Sequence, residues 1–232
     1  LSELSDIDTS TRVRIGATVP LSDVQVHPVV AENFPALVES ITSLGSRQIR
    51  NMATVGGNLC NASPAADTAP PLLVYGASVE LADSEGSREV TLEDFLRGPG
   101  QTALRPGEIL TAILLDPPAD GTHSVFLRKG RVVMDLPISS VAALVEWDGA
   151  TCLRVRLAAG AVAPVPLRLK RSEAIVEGTN LDAEIRVLAG ETARSEITPI
   201  TDLRSTKGYR RHLTGVLVER ALERLTDRAT SP

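Results

Sequence analysis

The most constraining stretch of this 232-residue chain runs from Ser46 to Asp67: Ser-Arg-Gln-Ile-Arg-Asn-Met-Ala-Thr-Val-Gly-Gly-Asn-Leu-Cys-Asn-Ala-Ser-Pro-Ala-Ala-Asp. Gly56 and Gly57 have no Cβ, so the backbone there can take positive φ and another group can come very close. Consecutive free N–H groups in such a turn form a concavity suited to an anion such as a diphosphate. Asp67 stands before Thr68-Ala69-Pro70-Pro71-Leu72-Leu73-Val74, an N-cap with proline just inside an apolar helix. Turn chemistry alone leaves two readings open: a tight structural turn, or a turn that meets a ligand.

Composition narrows the class. The chain is long enough for one large or two small domains. A formal charge of −5 gives no case for nucleic acid or anionic membranes as partners. The imbalance is local. Residues 1–118 hold seven arginines and no lysine against fifteen acidic residues, whereas residues 119–232 hold seventeen basic and fourteen acidic ones. Opposite signs on the two halves either help them dock or are accidents of solvated surface. Two cysteines, Cys60 and Cys152, make neither a disulfide framework nor a metal cluster; both read as free, packed thiols in a reducing compartment. His27, His123 and His212 are isolated, which argues against a metal site. No apolar run approaches the roughly 20 residues that span a bilayer.

Periodicity gives a coarse map. Arg12–Ala17 alternates as a half-buried strand does, and Leu21–Val24 makes a helical turn. Pro28–Leu44 reads as one helix, with Val29, Val30, Phe34, Leu37, Val38 and Ile41 on one face and Gly45 ending it. The glycine motif follows as strand and loop, and Asp67 opens a helix ending near Gly76. Ser78–Ala82 and Arg88–Leu92 form a hairpin, Glu93–Arg97 a short helix, and Ile109–Leu115 a buried strand. Pro117–Thr122 is the expected domain boundary. Beyond it come strands at Ser124–Arg128, Ser139–Trp147 and Thr151–Ala161, helices within Arg171–Glu177 and Asp182–Arg194, and a long helix over Ser205–Arg228. Tyr209, Leu213, Val216, Leu217, Ala221, Leu222 and Leu225 form its apolar stripe, with Arg210 and Arg211 at the edges. The pattern is α+β twice over.

The Thr54–Asp67 string resembles the second flavin motif, T-V/I-G-G-N-L-x-N-A-S-P-x-x-D, of the FAD-binding (medium) subunits of molybdenum hydroxylases, the family of aerobic carbon monoxide dehydrogenase and xanthine dehydrogenase. Gly107–Leu110 is similar to the family's G-E-I/L-I/L strand start, Phe126–Asp135 to its F-x-K/R-x-x-R…D segment, and Asp202–Leu213 to its C-terminal signature. The resemblance implies an FAD-binding type-2 subdomain, like those of the vanillyl-alcohol oxidases, over 1–118, followed over 122–229 by a C-terminal domain of the carbon monoxide dehydrogenase flavoprotein type. By the same resemblance, Thr54, Val55, Gly56, Gly57 and Asn58 lie along the FAD diphosphate, and Asp67 meets a sugar or ribityl hydroxyl. Leu110 packs near the cofactor. A cation after Phe126 approaches the flavin; Leu127, Arg128 and Lys129 compete for that position, and Lys129 is the candidate taken.

The implied function is electron transfer in a cytoplasmic complex, assembled as a dimer of heterotrimers. An iron–sulfur small subunit carries 2Fe–2S clusters, a large subunit carries molybdopterin, and this chain carries FAD. No residue here needs to be an acid, base or nucleophile. The family's first flavin motif, an A-G-G-x-D/S-L loop in an N-terminal subdomain, has no counterpart; Leu1–Leu4 reads like the segment that follows it. The expectation is either that a first stretch precedes this sequence or that half of the flavin site has been lost, with weak FAD binding by residues 1–232 alone. Loss would make the chain a cofactor-free scaffold or interaction module.

Overall fold

The computed structural model describes residues 2–230; Leu1 of the family-like junction lies outside the described residues. The first half runs β1 (Ile7–Asp8), β2 (Val13–Gly16), α1 (Leu21–Val26), α2 (Pro28–Asn33), α3 (Pro35–Ser43), α4 (Arg47–Met52), α5 (Val55–Cys60), α6 (Ala69–Val74), β3 (Ser78–Ala82), β4 (Ser87–Thr91), α7 (Leu92–Phe95), β5 (Leu96–Gly98), β6 (Gln101–Thr102) and β7 (Ile109–Leu115). The second runs β8 (Thr122–Lys129), β9 (Ser139–Asp148), β10 (Thr151–Gly160), β11 (Leu167–Arg168), α8 (Lys170–Val176), α9 (Ala183–Glu196) and α10 (Lys207–Thr230). Two antiparallel sheets, ordered β1-β2-β7-β3-β4 and β11-β10-β9-β8, organise them, and β5 pairs with β6 in a separate two-stranded sheet. Among the described residues no helix is long and apolar enough to cross a membrane.

The first sheet is apolar on one face only. Val13, Ile15, Val79, Leu81 and Ile113 point into a core shared with α1, α3, α5 and α6. The other face is polar and internally paired: Arg14 meets Glu80 at 2.8 Å, and the Thr111 hydroxyl donates to Glu80 at 2.6 Å. The second sheet is apolar on both faces, as strand alternation allows. Phe126, Ala142, Leu144 and Ala158 face the first core. Val125, Val141, Ala143, Val155 and Leu157 face a second core closed by α8, α9 and α10.

The expected helix over Pro28–Leu44 is two helices, broken at Phe34 (φ −127°, ψ 54°). Pro35 disfavours helical geometry in the residue before it and has no N–H to continue the ladder. The free end of α3 is served from elsewhere: the Ala36 N–H donates to Tyr75 Oη at 3.1 Å, and Tyr75 Oη lies 2.6 Å from Ser124 Oγ. The long helix also differs from expectation. Tyr209 is 46% exposed and Arg210 only 3%. The Arg210 guanidinium is turned inward because Ile138 O and Ala161 O need donors, each accepting at 2.7 Å.

The charge asymmetry has a structural counterpart. Ion pairs between the halves join acids of the first to bases of the second: Asp67–Arg128, Glu93–Lys170, Glu93–Arg168 and Glu39–Arg224. The connector from Asp116 to Gly121 is largely exposed, and we propose it as the divide between the two domains. Because the second sheet contributes to the first core, proteinase K is expected to nick this connector while the two fragments co-elute under native conditions. Separate elution of the fragments, or protection of the connector, would contradict this division.

Candidate functional site

The motif folds as two short capped helices rather than as strand and loop. Ser46 caps α4, its Oγ accepting from the Ile49 N–H, and Thr54 caps α5, its Oγ1 accepting from the Gly57 N–H at 2.9 Å. Gly56 and Gly57 are both helical and neither has positive φ. Their small size serves close approach instead. A Cβ on Gly56 would lie 2.5 Å from Ala17 O, so α5 packs directly on the backbone that leaves β2. Gly57 is different: it is exposed, and a Cβ there would meet only Thr54 Oγ1, at 3.1 Å. The protein itself demands glycine at position 56; at 57 it leaves space that no side chain fills.

The other motif residues fix this helix. Val55 is fully buried in the first core. Asn58 Oδ1 accepts from the Thr68 hydroxyl at 2.7 Å, tying α5 to the start of α6. At the Thr54 end the backbone is tied down from outside the helix: Val55 and Gly56 are buried, Thr54 forms a β-bridge with Pro20, and the Leu21 N–H donates to Ala53 O at 2.8 Å.

Asp67 is not the N-cap of α6. Thr68 holds that place and no side chain caps the helix. Asp67 turns instead to Arg128, with Oδ2 3.1 Å from Nη1 and the two side chains 5% and 10% exposed. Its Oδ1 is buried with no hydrogen-bond partner. Burial pushes this carboxyl up to about 7, and the Arg128 guanidinium pulls the other way. A buried acceptor left open in an otherwise satisfied neighbourhood calls for an explanation.

Strand alternation settles which residue after Phe126 points inward. Phe126 and Arg128 share the face of β8 toward the first core, and Val125 and Leu127 share the other. Arg128 Nη1 also donates to Ser43 O at 2.5 Å, and Nη2 donates to Asp135 O. Arg128 therefore binds the end of α3, the carboxylate of Asp67 and the loop after β8. Lys129 is exposed at the strand end, on the face opposite Arg128. Leu110 is buried in the first core on β7, the strand on which α5 packs. The structure thus ties Asn58 to Thr68 and, next to it in the chain, Asp67 to Arg128, with Leu110 on the strand under α5 and Lys129 turned away. The two-residue spacing of Phe126 and Arg128 is the sequence signal that singles out Arg128.

The remaining candidates are structural. Asp202 accepts from the Arg204 and Ser205 N–H groups and from Arg210 Nη2; burial opposes ionisation, but these bonds hold its carboxyl down to about 2. Burial raises the Cys60 thiol and pushes that of Cys152 up to about 12, so neither is an activated nucleophile. Among the described residues no cluster of His, Cys, Asp and Glu could hold a metal ion.

Residues 1–117 match the family described as the FAD binding domain in molybdopterin dehydrogenase, and residues 125–225 that described as the CO dehydrogenase flavoprotein C-terminal domain. The chain is 32% identical to the glyceraldehyde dehydrogenase medium chain of Sulfolobus acidocaldarius, over 96% of this chain and 79% of that one. It is 30% identical to the xanthine dehydrogenase FAD-binding subunit of Escherichia coli, over 90% of this chain and 73% of that one. Its fold superposes on a chain of carbon monoxide dehydrogenase from Hydrogenophaga pseudoflava with a TM-score of 0.95 at 28% identity, covering 98% of this chain and 80% of that one.

The raised Asp67 carboxyl has a signed consequence. Its folded-state value near 7 lies above the roughly 3.9 of an unfolded aspartate. Its contribution to stability is therefore full below pH 4 and is lost as pH rises through 7. Asp67→Asn removes that dependence. The urea midpoint of wild type minus that of Asp67→Asn is expected to fall between pH 5 and pH 8; a difference that is flat or rises over this range would contradict the assignment.

Proposed function

Because the chain belongs to the FAD-binding flavoprotein-subunit family of the molybdopterin dehydrogenases, an oxidoreductase family, we propose that it is the electron-transfer subunit of a complex. In this reading an iron–sulfur subunit delivers electrons that a molybdopterin subunit draws from the substrate, and this chain passes them to an external acceptor. The supporting observations are the unfilled space at Gly57 and the open carboxylate oxygen of Asp67, on segments tied together by the Asn58–Thr68 hydrogen bond.

These residues fit an FAD. A diphosphate can approach the exposed backbone of Gly57, which no side chain obstructs. Thr54 and Asn58 hold that helix in place through the Gly57 N–H and the Thr68 hydroxyl, and Val55 anchors it in the core. Asp67 Oδ1 accepts from a hydroxyl of the cofactor. Leu110 supplies part of the apolar wall. Arg128, rather than Lys129, is the cation of the site, since it faces inward and holds Asp67. When bound, FAD supplies the capacity to collect electrons singly and release them in pairs; the protein's contribution is position and electrostatics.

Gly57→Val separates this reading from a purely structural turn. The new side chain displaces little of the protein, since only Thr54 Oγ1 is near, but it occupies the space assigned to the diphosphate. FAD titration is expected to show affinity reduced by about tenfold or more, roughly 1.4 kcal/mol, while the thermal midpoint of the apoprotein stays within a few degrees of wild type. Unchanged affinity would remove the diphosphate from this position.

A further inference from the structure

The contact between the two halves has a polar end, away from Asp67. Arg154 and Arg156 lie on β10, and Arg168 lies on β11 in register with Ala158. All three sit on the face of the second sheet that carries Ala158 toward the first core. Two of them are matched by carboxylates. Arg168 donates to Glu173 through Nε at 2.5 Å and Nη2 at 2.6 Å, and Arg154 pairs with Glu146 at 3.4 Å. Arg156 lies half-buried between them. Among the described residues it has no ion pair, and its side chain makes one hydrogen bond, to a backbone carbonyl.

The end of α6 explains where Arg156 is held but not what balances its charge. Gly76 leaves the helix in the left-handed region, with φ +70°. The Gly76 and Ala77 N–H groups donate to Leu73 O at 3.0 Å and Leu72 O at 2.9 Å, the pattern of a Schellman turn. Val74 O is left over, and it accepts from Arg156 Nη1 at 3.2 Å. A Cβ on Gly76 would lie 2.5 Å from that Nη1, so the glycine also makes room for the guanidinium. The bond uses one donor of a group that carries five. Burial disfavours the charged form and the neighbouring Arg154 and Arg168 repel it, which lowers the Arg156 pKa from the usual arginine range; Glu146 and Glu173 pull the other way. Charges withdrawn from water are normally paired, and this one lacks a partner.

Arg156 borders a recess of about 330 Å³ whose other walls include Gly76, Asp116, Pro117, Glu146 and Arg154. Four charged groups line it, and three are matched: Arg154 and Glu146 pair with each other, and Asp116 pairs with Arg12 at 2.9 Å. The surplus is Arg156, so the recess suits an anion. Arg154 can assist. Its bond to Glu146 is long and its side chain is 48% exposed, which makes that pair worth little and leaves its other donors for a ligand. The two arginines are next neighbours on one strand face, with Cα atoms about 7 Å apart. Two planar guanidinium forks at that spacing match an anion whose oxygens point in several directions. We propose that this recess binds a phosphate group, either free or carried by a small monoester. The site lies at the opposite end of α6 from Asp67 and does not depend on the electron-transfer reading.

Calorimetric titration of inorganic phosphate into the apoprotein tests this, with ionic strength held constant by chloride. Wild type is expected to bind phosphate. Arg156→Gln is expected to weaken binding by about tenfold or more, and Arg154→Gln by several-fold. Gly57→Val, at the position assigned to the FAD diphosphate, is expected to bind phosphate as wild type does. If Arg156→Gln fails to fold, Arg154→Gln, on an exposed side chain, decides alone. A second titration with glycerol phosphate separates the two sources: tighter binding than phosphate assigns a monoester, and equal or weaker binding assigns the free ion. Absence of phosphate binding by wild type, or wild-type affinity in the deciding variant, would overturn the proposal. Loss of phosphate binding in Gly57→Val would also overturn it, by placing the anion in the flavin site.

Discussion

The buried ion pair of Asp67 and Arg128 holds the proposed site to the rest of the molecule. Taking two charges out of water is costly, and breaking such a pair from one side leaves a stranded charge, typically at roughly 3–5 kcal/mol. Arg128 lowers that cost by using its remaining donors on Ser43 O and Asp135 O. Asp67 does not, because one of its oxygens stays unpaired. The pair is therefore asymmetric: a cation held by three partners fixes a half-used carboxylate. Such an arrangement keeps an acceptor oriented for a hydroxyl that the protein itself does not provide.

The pair spans the two halves because the second sheet has two apolar faces. One face completes the first core through Phe126, Ala142, Leu144 and Ala158, and the other builds a core of its own. This places Arg128 at the end of an inward-facing row that began with Ser124 and Phe126. The position of the site thus depends on the register of β8 on β9, in which Phe126 pairs with Ala142 and Arg128 with Ser140. A shift of one residue would bury Lys129 and expose Arg128.

Much of this was legible in the sequence, for local reasons. The hairpin from Ser78, the strand over Ile109–Leu115 and the strands flanking Asp148-Gly149 are set by alternation and turn residues close together in the chain. The small residues of the Thr54–Asp67 string pointed to close backbone approach, which is what Gly56 makes with Ala17. The form of that approach was not legible: helical glycines and positive-φ glycines look alike in one dimension. The break at Phe34 was masked because the apolar spacing continues across Pro35, although proline chemistry predicts a break there. Arg210 is buried to satisfy carbonyls 72 and 49 residues away, a demand that no local pattern carries. Asp67 looked like a cap because its partner, Arg128, lies far along the chain on β8.

The central claim is that Asp67 and Arg128 act on the cofactor as a unit. A double-mutant cycle measures this directly, with FAD dissociation constants for wild type, Asp67→Asn, Arg128→Met and the double variant. If the pair acts together, the double variant loses less affinity than the two single losses combined, by a coupling of about 1 kcal/mol or more. Single losses that simply add would contradict the account and leave the two residues as separate structural contacts.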